Sequence, residues 1–107
     1  MNLVVLSGRL AGDPASREVG EKTVINFVLA VDRDYAGNDG ERETDFIKVV
    51  AWDALGEACV NHVVKGQQVE VEGSLRQRRW KDEAGNVRSV LEVVARRVHF
   101  GAKPRQG

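Results

Sequence analysis

Apolar and polar positions alternate through most of the chain. In Thr23–Asp32 (TVINFVLAVD), Ile25, Phe27, Leu29 and Val31 fall at every second position, with Val24, Asn26, Val28 and Ala30 between them. A two-residue period puts each set on one face of an extended strand. The same reading gives strands at Asn2–Ala11, Thr44–Trp52, Gln68–Trp80 and Arg88–Phe100. Between them, Asp13-Pro14, Gly20–Lys22, Ala36–Glu41 and Asp82–Asn86 are breaks or turns. Gly73 sits inside the fourth strand, where a bulge or bend is tolerated. One stretch changes period. Leu55, Ala58, Cys59, His62 and Val63 recur at helical spacing and predict a short helix over Ala54–Val64. Asp53 suits its N-cap and Gly66 a left-handed stop after it.

Three strands, a helix and two more strands in 107 residues make one all-β domain. This is the order of an OB-fold, a five-stranded Greek-key barrel with a helix between strands three and four. Other five-strand folds, such as a half-open SH3-like barrel, fit the same pattern. Residues 1–100 form the domain, and residues 101–107 a loose polar end. In the first strand Val4, Leu6 and Leu10 point one way, yet Leu3 and Val5 are apolar on the other face. A lone barrel would leave that second face wet, which predicts a two-fold interface and a dimer or tetramer.

The chemistry narrows by exclusion. No apolar run approaches the ~18 residues of a membrane helix, and the N-terminus lacks the charged start of a signal peptide. One Cys and two distant His exclude a disulfide framework and a Cys-rich zinc site, and point to the cytoplasm. No nucleophile–base pair, metal cluster or phosphate-binding Gly loop is present, so neither an enzyme nor a cofactor is expected. Cys59 and His62 read as core residues of the helical stripe.

The formal net charge is zero, but the charges are segregated. Residues 1–64 hold 6 basic and 11 acidic side chains, residues 65–107 hold 10 and 5. Ser74–Lys81 (SLRQRRWK) carries four cations and no anion. A polyanion partner is therefore compatible with a neutral total. In the third strand Phe46, Lys48, Val50 and Trp52 share a face opposite Ile47, Val49 and Ala51. In the fourth, Arg76, Arg78 and Trp80 share a face, with Arg79 and Lys81 close by. Rings present π-surfaces to bases and interleaved cations track phosphates, which is how single strands are held without reading sequence. Phe27 and Phe100 have apolar contexts and read as packing. Tyr35, in the acidic stretch Asp32–Asp45, is a further ring that can stack.

The chain resembles the bacterial single-stranded DNA-binding proteins. The resemblance is carried in order by GRLAGDPASR (Gly8–Arg17), NFVLAVDRDY (Asn26–Tyr35), the long segment from Thr44 to Trp80, and the DEAGN turn. It implies an OB-fold that dimerises and usually forms a homotetramer, working in the cytoplasm, on the nucleoid, in replication, recombination and repair. It places base-stacking rings at Tyr35, Phe46, Trp52 and Trp80, and phosphate-contacting cations at Lys48, Lys65, Arg76, Arg78 and Arg79. Ala54 stands where a basic residue is common in the family, and Ile47 where some members have an interface His. Members usually continue into a Gly/Gln/Pro-rich linker and an acidic tip that recruits replication and repair proteins; the present sequence ends at GAKPRQG. Two other readings compete: a primosome-type accessory OB protein, which is also short and dimeric, and an oligosaccharide-binding OB domain. The latter accounts for exposed rings but not for rows of cations.

Overall fold

The computed structural model describes residues 1–36 and 42–103, with the side chains of Tyr35, Ala36 and Arg42 outside that description. The described residues form six strands and one helix: β1 (Val4–Leu10), β2 (Ala15–Val19), β3 (Lys22–Ala36), β4 (Arg42–Trp52), α1 (Asp53–His62), β5 (Gln68–Lys81) and β6 (Val87–Phe100). The sheet order is β1-β5-β6-β4-β3-β2, and β1 also pairs with β3. That last pairing closes a five-stranded barrel of β1, β3, β4, β6 and β5, the OB-fold arrangement. Counted along the barrel strands, α1 lies between the third and the fourth, as the sequence predicts.

The sixth strand is the difference. Ala15–Val19 is exposed at every residue, so it has no alternating apolar signal. It forms because the turn at Gly20, with φ +63°, folds it onto the start of β3, pairing Val19 with Lys22 and Ala15 with Asn26. It is a flap outside the barrel. The loop expected at Ala36–Glu41 falls almost wholly outside the described residues.

The core collects the inward residues of the five barrel strands. Leu10, Ile25, Phe27, Leu29, Val49, Ala51, Val69, Val71 and Val93 are buried together with Cys59 and Val63 of the helical segment. Burial pushes the Cys59 thiol up from its ordinary pKa, which fits a packing role. Gly56 lets α1 settle on the barrel: a Cβ there would lie 2.6 Å from Ile25 Cγ1. Gly73 does mark a bulge, since the β5–β6 register shifts between Glu72 and Gly73. A Cβ on Gly73 would lie 2.1 Å from the Val94 carbonyl oxygen.

Four local expectations are corrected. Asp53 is not the N-cap. Trp52 holds that position, and Asp53 takes φ +52° while its carboxylate accepts the Thr23 N–H at 3.2 Å. An Asp tolerates this left-handed turn better than most residues. Gly66 does not stop the helix, which ends earlier, with Val63 as C-cap. With φ +85° it serves the next turn, closed by Gln67 N–H to the Val64 carbonyl at 3.1 Å. His62 is exposed and Phe100 is 41% exposed; their rings meet at 6.1 Å on the barrel rim. Both are the last residues of their elements, where the cover is thin. Residues 101 and 102 are not loose. Gly101 N–H donates to Gln68, and Gln67 and Gln68 donate to the carbonyls of Gly101 and Ala102. Residues 104–107 of that end lie outside the described residues.

Candidate nucleic-acid interface

β4 alternates as its sequence requires. Val49 and Ala51 are buried and Ile47 half-buried, while Phe46 is 66% exposed, Lys48 exposed and Trp52 half-buried. Val50 shares their face but is buried beside β6. The register then joins two arrays that lie far apart in sequence. Val50 stands opposite Val94 of β6, and Val94 opposite Ser74 of β5. Directly opposed residues share a face, as do alternate residues along a strand. Phe46, Lys48 and Trp52 therefore lie on the same outer face as Arg76, Arg78 and Trp80, with β6 running between them.

Beyond the barrel, β5 and β6 continue as a two-stranded ribbon whose residues Arg76–Lys81 are all exposed. Its tip is a tight turn. Asp82 accepts the Asn86 N–H at 2.9 Å and the Arg88 Nε–H at 2.9 Å, and Gly85 takes φ +84°. Arg88 and these backbone donors hold the Asp82 carboxyl below the usual carboxylate range. On the ribbon, the Arg78 guanidinium covers one face of the Trp80 ring at 4.8 Å. Trp80 is 41% exposed.

The structure does not gather every predicted residue. Arg79 alternates with Arg78 and so points to the ribbon's other face, where it bonds Gln77 at 3.0 Å. Lys65 lies on the turn after α1, its N–H donating to Asp13 at 2.9 Å. The Tyr35 side chain lies outside the described residues; its backbone belongs to β3.

Two features were missed from sequence. A groove of about 530 Å³ runs beside Phe46 and Lys48, walled by the Ala11–Asp13 loop and floored by Asn26 and Val28. No residue pattern announces it, because its walls come from segments far apart in the chain. The second is Glu92, 3% exposed on the outer face of β6, directly opposite Arg76. Its Oε1 accepts a hydrogen bond from Arg76 Nη2 at 3.1 Å and forms an ion pair with Arg78, whose Nε lies 3.4 Å away. Counting outward from the Asp82–Asn86 turn gives this pairing, so the sequence did carry the signal.

Among the described residues no group of His, Cys, Asp or Glu is placed to hold a metal, and no helix is long and apolar enough to cross a membrane. A small barrel whose outer face mixes open rings with guanidinium and ammonium groups defines a binder of extended, stackable polyanions. Comparison with known proteins agrees: residues 1–101 match the single-strand binding protein family, and the chain belongs to it. A single-stranded DNA-binding protein of Caldanaerobacter subterraneus is 45% identical over the whole chain, which spans 71% of that relative. A protein of the same description from Bacillus cereus and single-stranded DNA-binding protein 2 of Listeria innocua are 40% and 42% identical. The chain spans 63% and 64% of their lengths.

Proposed function

We propose that this chain binds single-stranded DNA without reading its base sequence. Phe46, Trp52 and Trp80 stack bases, with Tyr35 a fourth ring, while Lys48, Arg76 and Arg78 contact phosphates. Lys65 and Arg79 extend the path around the barrel edge and the ribbon's far side. One observation carries the reading: strand register joins the two ring-and-cation arrays into one outer face. The domain spans residues 1–100 and acts as a binding module, not an enzyme. Its work belongs to DNA replication, recombination and repair in the cytoplasm.

The same reading includes self-association. Leu3 and Val5 are 56% and 55% exposed. Of β1, only Arg9 and Leu10 pair with β3, so Val4–Gly8 leave one edge without a strand partner among the described residues. An apolar, unpaired edge is what a second copy covers, giving a dimer and, from two dimers, a tetramer. Titrating the chain with dT oligomer at two salt concentrations tests the binding. Saturable binding with Trp quenching and a log–log salt slope is expected; equal binding of a neutral oligosaccharide would overturn it.

A further inference from the structure

The ring-and-cation face contains one buried anion that DNA binding, taken alone, would not call for. Glu92 is nearly sealed from solvent, and both of its guanidinium partners belong to the proposed phosphate-contacting set. Phosphate and carboxylate compete for the same donors, so a carboxylate here weakens general polyanion binding. Its geometry shows what it does instead. Paired with Glu92, the Arg78 guanidinium lies over the Trp80 ring, which stays exposed. Arg76 spends one N–H group on Glu92, and Arg78 is paired with it by charge at 3.4 Å, which leaves the other donors of both to a ligand. The three residues together carry one net positive charge instead of two.

We propose that Glu92 is a specificity-determining positioning residue: it fixes Arg76 and Arg78 for a strand that also stacks on Trp80, and suppresses binding of duplex. The inference rests on the single-strand reading above. Duplex offers denser phosphate charge but no free base faces, so it gains from loose cations and loses nothing when the Arg78–Trp80 arrangement slackens. A single strand has both to lose.

The test is Glu92→Gln, which keeps shape and an acceptor while removing the charge. Affinities for a dT oligomer and for a duplex of equal length are measured across a salt series, with a thermal melt to verify folding. One more effective phosphate contact steepens the duplex slope by about 0.9, equivalent to roughly fivefold tighter duplex binding at 0.15 M salt. Single-strand affinity should not rise with it, so the single-to-double ratio falls about fivefold. A duplex slope and affinity unchanged in the folded variant overturn the proposal, as does an equal gain for both ligands. If Glu92→Gln does not fold, Arg76→Met is compared with the pair Arg76→Met, Glu92→Leu, which removes the buried charge with its partner. Arg76→Met alone should flatten the duplex slope by about 0.9, and adding Glu92→Leu should restore it; no restoration overturns the proposal. Failure of the wild type to prefer the single strand would instead strike the underlying reading.

Discussion

Trp80 shows how one side chain decides between packing and binding. It stands on a ribbon with no core beneath it, between exposed Arg79 and Lys81. A ring in that place costs apolar exposure unless something stacks on it. Trp80→Ala and Trp52→Ala should each weaken dT-oligomer binding by about 1–3 kcal/mol, with the salt slope nearly unchanged. Binding at wild-type strength by folded Trp80→Ala would remove that ring from the interface. Gly73 makes the opposite case, a residue whose lack of a side chain is structural. Gly73→Ala should cost about 1–3 kcal/mol in a denaturant melt, because the added methyl meets the Val94 carbonyl. The period-two pattern revealed Phe46, Lys48 and Trp52 because alternation alone assigns faces. It misjudged Phe100 and His62 because periodicity assigns a face but not the depth of cover at an element's end.

At the scale of elements, the long alternating strands and the helix were legible, since each buries one face. β2 was not, because a flap exposed at every residue leaves no hydrophobic trace. The joining of β4 to β5 was hidden too, since a parallel contact through β6 depends on the barrel's closure. The β5–β6 ribbon depends on its turn, and the turn on the ionised Asp82. A carboxylate whose folded pKa is lowered stabilises the fold above its unfolded pKa and loses that contribution as pH falls through the folded value. Asp82→Asn should therefore lower thermal stability slightly near neutral pH, with the difference closing in strong acid. A difference that persists below the carboxylate range would assign the effect to shape, not charge.

At the scale of the molecule, an association edge and a binding face share one barrel. The apolar outer face of β1 predicts association, so Val5→Lys should shift a light-scattering mass at micromolar concentration toward monomer; an unchanged mass would place the interface elsewhere. Both tryptophans of the chain lie on the proposed face, so their fluorescence reports binding without a label. The central claim is that rings and cations act together on one strand. Its most direct test is the affinity of the unaltered chain for a dT oligomer and for a duplex of equal length at physiological salt. Strong preference for the oligomer, with quenching of Trp52 and Trp80, is the result expected. Equal affinity for both would show that charge alone governs binding and would contradict the account.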